Sequence, residues 1–252
     1  MAQTIAVVNQ KGGVGKTTTA VNLAAALHDA GKRVLLCDFD PQANATSGFG
    51  VEKNKGLSVY DVLMGTLARD AVVKTAYADV LPSASALAGA AVELVAMENR
   101  EYILKNALDR LENDYDYIFI DCPPSLELLT LNALCAAESI LVPVQCEYYA
   151  LEGLSDLMAT LRAVKARLNP ALNIYGVVLT MFDGRLNLSY QVAEEVRRHF
   201  PGKVFAAVIP RNVRLSEAPS HGLPVLAYDK YSRGADAYKK LAAECIGKEA
   251  RP

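Results

Sequence analysis

Lys11-Gly12-Gly13-Val14-Gly15-Lys16-Thr17-Thr18 brings lysines, glycines and hydroxyls together in the pattern a phosphate-bearing ligand requires. Glycines let backbone N–H groups approach phosphate oxygens, a lysine neutralises the β- and γ-phosphates, and a hydroxyl joins a Mg²⁺ shell. Gly12, Gly13, Gly15, Lys16 and Thr17 fill those roles, with Val14 and Thr18 completing the loop. Lys11 exceeds what one cradle needs. It sits on the strand side of the loop, where the chain direction suits it poorly to the same nucleotide, so it is expected to serve a nucleotide held by a second copy of the chain.

Carboxylates close two hydrophobic runs, in Asp38-Phe39-Asp40-Pro41-Gln42 and in Ile120-Asp121-Cys122-Pro123-Pro124. An aspartate at a strand end beside a phosphate loop suits Mg²⁺, which prefers oxygen ligands and keeps much of its water. Asp121 is expected in that role. Asp38 and Asp40, spaced i, i+2, share a strand face, so Asp38 is expected near the metal together with Thr17. Asp40, at the strand exit, is expected to orient or deprotonate an attacking water. The structural alternative is that strand-end aspartates cap turns, especially before proline.

These groups need strands to carry them. Continuous apolar, β-branched runs occur at Ile5–Val8, Val34–Cys37, Tyr117–Ile120, Ile140–Val144, Gly176–Leu179 and Val204–Ile209. Helical spacing marks 17–29, 91–113, 127–137, 151–168, 188–199 and 232–247 between and after them. Runs apolar on both faces that alternate with helices imply an α/β fold, a doubly wound, mostly parallel sheet with helices on both faces. Gln42–Leu57 and Arg211–Pro224 fit neither pattern. Both follow strand ends, where open α/β sheets bind ligands, and are expected to be functional loops.

At 252 residues one core suffices, and residues 1–252 are expected to form a single domain. Net charge is −2 and 52% of residues are hydrophobic, which excludes a disordered chain and a strongly basic one. The sum hides an asymmetry, since residues 185–252 carry 12 Lys+Arg against 7 Asp+Glu. The basic last quarter suits polyanions. Cys37, Cys122, Cys135, Cys146 and Cys245 form no C-x-x-C pair and are expected to be reduced and buried. No leader segment and no apolar stretch of ~18–20 residues stands out, which implies a cytoplasmic protein.

The three motifs together resemble the deviant Walker A ATPases, and specifically the chromosomal ParA/Soj partition proteins. Pro143-Val-Gln-Cys-Glu147-Tyr-Tyr-Ala-Leu-Glu-Gly, Thr180-Met181-Phe-Asp183-Gly-Arg185-Leu-Asn-Leu and Ile209-Pro210-Arg-Asn212-Val-Arg214-Leu-Ser-Glu-Ala-Pro-Ser-His-Gly extend the resemblance over nearly the whole chain. Ala43 departs from it, standing where the family usually has glycine. The resemblance implies Mg²⁺ and ATP sandwiched in a homodimer, with Lys11 of each subunit reaching the partner's phosphates as an arginine finger does. It also implies that Glu147 meets the ribose from the partner side, and that Met181, Asp183, Pro210 and Asn212 form the adenine pocket; Met181 and Pro210 equally suit core or turn positions.

Further implications are non-specific binding of double-stranded DNA through Arg185 and Arg214, a nucleoid-associated location, and a centromere-binding ParB/Spo0J-like partner that stimulates a weak ATPase. Lys230 and Arg233 join the DNA contacts on charge alone, because phosphate contacts need only positive charge. Two other readings share the core. A MinD-like cell-division ATPase would use a C-terminal amphipathic membrane anchor, and residues 243–252 lack its bulky apolar face, so no membrane partner is expected. An electron-transfer ATPase like the nitrogenase iron protein would need cluster cysteines facing a dimer axis, with Cys122 the one candidate. Larger partition ATPases carry a helix-turn-helix domain ahead of the loop, for which no room is seen here.

Overall fold

Short apolar runs become strands because branched and aromatic side chains pack well on a pleated surface covered on both sides. The computed structural model describes residues 1–125, 127–148 and 150–249, without the side chains of 150–153 and 249. Its strands are β1 (Gln3–Val7), β2 (Val34–Asp38), β3 (Val73–Lys74), β4 (Asp79–Leu81), β5 (Tyr117–Asp121), β6 (Ser139–Gln145), β7 (Asn173–Phe182) and β8 (Val204–Pro210). They form one sheet in the order β3-β4-β2-β5-β1-β6-β7-β8, parallel except where β3 runs antiparallel to β4. β1 therefore lies between β5 and β6, where a crevice opens at the carboxyl ends of the strands.

The helices are α1 (Lys16–Asp29), α2 (Asn44–Gly48), α3 (Val59–Leu63), α4 (Ala68–Ala71), α5 (Leu87–Leu94), α6 (Ile103–Leu108), α7 (Leu128–Ala136), α8 (Ala150–Arg167), α9 (Asn187–His199), α10 (Val213–Glu217), α11 (Val225–Tyr228) and α12 (Arg233–Glu249). Alternate residues of β1 feed two cores. Ala6 and Val8 pack with α3 and α5 to α9, whereas Ile5 and Val7 pack with α1 and α12. The doubly wound arrangement is as expected.

Three departures have local causes. The helix expected at 91–113 is broken into α5, α6 and a short 3₁₀ turn, Asp109–Leu111. Asn99 takes a left-handed conformation (φ 52°), and the Asn132 side chain on α7 both donates to Arg100 O (2.8 Å) and accepts from Leu104 N (3.3 Å), satisfying the backbone of the break. Residues 58–86 contain α3, α4, β3 and β4, elements too short to leave a periodic signal. The two expected loops hold α2 and α10 respectively. Among the described residues no helix is long and apolar enough to cross a membrane, and α12 buries Ala242 and Cys245 against the core. Residues 250–252 of the segment read for an anchor lie outside the described residues.

Candidate nucleotide-binding site

β1 ends where its neighbour fixes it. Val8 N donates to Leu141 O (3.0 Å), and the Asn9 side chain donates to Pro143 O (2.8 Å) while accepting from Lys11 N (3.0 Å). The chain then turns through Gly13 (φ 77°) and Gly15 (φ 88°), conformations that strain any residue with a Cβ. Gly15 is the N-cap of α1 and has no side chain to offer. The first N–H groups of this 14-residue helix are thus left at its positive end, an arrangement suited to an anion.

The two lysines of the loop diverge. Lys16 is 7% exposed, and its Nζ donates to Lys11 O (3.4 Å) inside the loop. Burial lowers its pKa, opposed by the nearby Asp121 and Asp40 carboxyl groups. Lys11 instead turns to the rim, with Nζ 3.7 Å from one oxygen of Glu147. The other Glu147 oxygen lies 3.9 Å from Arg211 and accepts from the Gln145 amide.

Asp38 and Asp121 are register partners on β2 and β5, and both are fully buried. Asp38 accepts from Thr46 N and Thr46 Oγ (2.7 Å each) and from Asp40 N (3.3 Å). Burial pushes Asp38 up to about 6 even against those bonds. Neither oxygen of Asp121 has a hydrogen-bond partner. Burial, then the Asp38 charge, holds this carboxyl well above the usual carboxylate range. A buried carboxylate left without partners is the observation that fits a bound cation. Among the described residues no cluster of three or more acidic, His or Cys side chains is placed to cage a metal. Asp38 has a further task, since its contacts tie β2 to Thr46 on α2, a link the sequence reading missed. Ser83 N extends the chain by donating to Thr46 Oγ (2.9 Å).

Asp40 stands beyond the strand, half-buried, with its carboxylate accepting from Gln42 N (2.9 Å). Its backbone O accepts from Ser83 Oγ (2.7 Å) and Ala43 N (2.9 Å). The turn into α2 passes through Ala43 in the left-handed region (φ 51°). A left-handed L-residue costs about 1–2 kcal/mol, whereas glycine gives back about 0.5–1 kcal/mol in chain entropy. Ala43→Gly is expected to stabilise the fold by about 0.5–1 kcal/mol, read as a higher midpoint in urea unfolding; a lower midpoint would contradict the strain.

Beside the loop opens a cavity of about 520 Å³ between α1 and the ends of β7 and β8. Gly15, Thr18, Met181, Pro210 and Asn212 line it, which unites the loop with three of the expected adenine-pocket residues. Thr180, Arg211 and Tyr238 also line it and had no role in the sequence reading. Thr180 Oγ donates to Val14 O (2.8 Å), and Tyr238 Oη meets Thr19 Oγ (3.3 Å), so α12 and β7 brace the loop. Asp183 does not line the cavity. Its two oxygens receive Arg185 Nε (2.9 Å) and a terminal Arg185 nitrogen (2.6 Å), which hold it down to about 2. Glu147 lies on the rim rather than in the cavity.

The four basic residues expected to meet DNA are exposed to different degrees and mostly paired. Arg185 is 87% exposed but occupied by Asp183, while Arg214 reaches Glu217 (2.8 Å) and Asp229 (3.2 Å). Lys230 lies over the Tyr231 ring, 5.1 Å from its centre, and Arg233 is exposed at the start of α12. None of the five cysteines forms a disulfide and all are buried, Cys122 among them, so none is presented at the surface.

Residues 2–174 match the family model described as an AAA domain. The chain is 57% identical to the sporulation initiation inhibitor protein Soj of Bacillus subtilis, covering 97% of this chain and 98% of that protein. It is 53% identical to the chromosome partitioning protein ParA of Caulobacter vibrioides, covering 97% and 94%. The chain belongs to the ParA/Soj family of chromosome-partitioning ATPases. Solved structures agree with a ParA-type fold. Cobyrinic acid a,c-diamide synthase of Mycobacterium smegmatis with bound ATP analog and magnesium superposes with a TM-score of 0.87 at 38% identity, covering 100% of this chain and 97% of that one. The cell division ATPase MinD of Pyrococcus furiosus gives 0.79 at 30%, covering 99% and 100%.

Proposed function

We propose that this member of the family is an ATP-switched DNA-partitioning ATPase, one domain over residues 1–252, that works in the cytoplasm on the nucleoid. ATP lies with its base in the 520 Å³ cavity and its phosphates on Gly12 to Thr18. Lys16 holds the β- and γ-phosphates from inside, and Thr17, Asp38 and Asp121 would hold Mg²⁺, Asp38 also fixing the turn beside them. Mg²⁺, when bound, neutralises phosphate charge and orders the oxygens for in-line displacement. The M. smegmatis relative with ATP analog and magnesium supports both ligands. Water attacks the γ-phosphorus, the bond to the β–γ bridging oxygen breaks, and Asp40 orients the water and receives its proton, leaving ADP and phosphate.

The observation that carries the reading is the divergence of the two lysines. Lys16 is spent inside the loop, whereas Lys11 stands at the rim, where it meets a nucleotide on a facing protomer. Two protomers closing over two ATP molecules place each Lys11 on the other's phosphates and bring Glu147 to the partner's ribose. Pairing doubles the set Arg185, Arg214, Lys230 and Arg233, so weak phosphate contacts become useful only in the dimer. A ParB-like protein accelerates slow turnover and resets the switch. The MinD-like membrane role stays the second reading, with α12 packing its apolar face on the core.

DNA binding of the pure protein without nucleotide, with ADP and with a slowly hydrolysed ATP analogue tests this function. Binding is expected with the analogue alone and to fall steeply with salt; equal binding in all three states would overturn it. The paired arginines add a sharper expectation. Because Asp183 occupies Arg185, the Asp183→Asn dimer should bind DNA several-fold more tightly by filter binding and fall more steeply with salt. Unchanged affinity and slope would mean that Arg185 does not touch phosphate.

A further inference from the structure

Away from the nucleotide, α8 flanks two adjoining cavities of about 270 and 330 Å³ that share Met158 and Arg162. One opens toward the starts of β7 and β8, over Leu161, Leu172 and Ile174. The other opens toward the end of α9, over Leu154 and Phe200. The floors are apolar and recessed, with Leu154, Leu161, Leu172 and Phe200 all buried. The rim is cationic. Arg162, Lys165 and Lys203 border the first cavity, and Arg162 and His199 the second.

These cations lack acidic partners among the described residues. Lys165 bonds only the neutral Asn173 side chain (3.0 Å), and neither Arg162 nor Lys203 makes an ion pair. The acidic neighbour on α9, Glu195, is already held by Arg198 (2.7 Å) and His199 (3.5 Å). Charge without a counter-charge around an apolar groove marks a surface built to be covered.

We propose that this groove docks an acidic amphipathic helix of a partner protein. Two adjoining slots along one helix suit two apolar side chains three or four residues apart, the spacing at which a helix presents neighbours on one face. Acidic residues beside them meet Arg162, Lys165 and Lys203. A DNA backbone would leave the apolar floor unused. A membrane surface needs protruding apolar side chains, whereas these are recessed and receive those of another chain. The groove shares no lining residue with the nucleotide cavity.

A displayed library of helical peptides, panned against the full-length protein and against Arg162→Glu/Lys203→Glu, tests this. Both positions are exposed, so the variant is expected to keep the parent's circular dichroism and basal ATPase rate. Enriched sequences should be acidic with apolar pairs three or four apart, and as synthetic peptides should bind the variant at least tenfold more weakly by anisotropy. Basic or patternless winners, equal binding to the variant, or no enrichment would overturn the proposal. So would co-sedimentation with phosphatidylglycerol vesicles that the double variant abolishes, because the groove would then serve a lipid surface.

Discussion

Lys16→Ala loses ATP affinity by about a hundredfold or more in isothermal titration. Hydrogen bonds to charged groups are each worth about 1.5–3 kcal/mol, and a buried ammonium that touches two phosphates makes more than one. Each 1.4 kcal/mol is a factor of ten in affinity. The wild-type side chain is 7% exposed and its Nζ donates to the Lys11 carbonyl at 3.4 Å, which holds the ammonium inside the loop. The fold should survive the change, because Gly13, Gly15 and Asn9 shape the loop without it. Circular dichroism separates lost binding from lost structure; retained micromolar affinity in a folded variant would count against the phosphate cradle.

Asp40→Ala behaves in the opposite way, keeping ATP and losing its turnover. Positioned proton transfer contributes about 10²–10⁴-fold, and a fall of at least a hundredfold in phosphate release is expected. Asp40 suits this because it lies past the end of β2 and is only half-buried, whereas Asp38 is closed off by Thr46. With hydrolysis blocked, the ATP-bound dimer should persist on a sizing column and hold DNA. A variant that stays monomeric with ATP, or still releases phosphate at the parent rate, would remove Asp40 from the reaction.

Much of this was legible in the chain. The loop, the strand-end aspartates and the parallel order follow from residue types whose local constraints are strong: glycine at positive φ, and apolar runs covered on both faces. Met181, Pro210 and Asn212, far from the loop in sequence, line one cavity with Gly15 and Thr18. What stayed hidden depends on partners far away in sequence. Thr46 acquires its role only because α2 folds back on Asp38, and the break in 91–113 is completed by Asn132 on another helix. Asp183 was placed in the base pocket by the family resemblance, yet its own side chain turns to Arg185, two residues on. Such choices between near and far partners leave no periodic trace.

Ala43 and Met181, both left-handed without being glycine, flank the site from two sides, on the turn into α2 and on the cavity wall. Strain of this kind persists where surrounding contacts over-determine the backbone, as Ser83 and Thr46 do around Ala43. The turn into α2 is therefore held in one shape immediately after Asp38 and Asp40.

The trans role of Lys11 is tested most directly by mass photometry of Asp40→Ala and of Lys11→Ala/Asp40→Ala, each saturated with ATP. The single variant is expected as a dimer and the double variant as a monomer that still binds ATP. A double variant that pairs as fully as the single one would show that Lys11 does not reach across the interface.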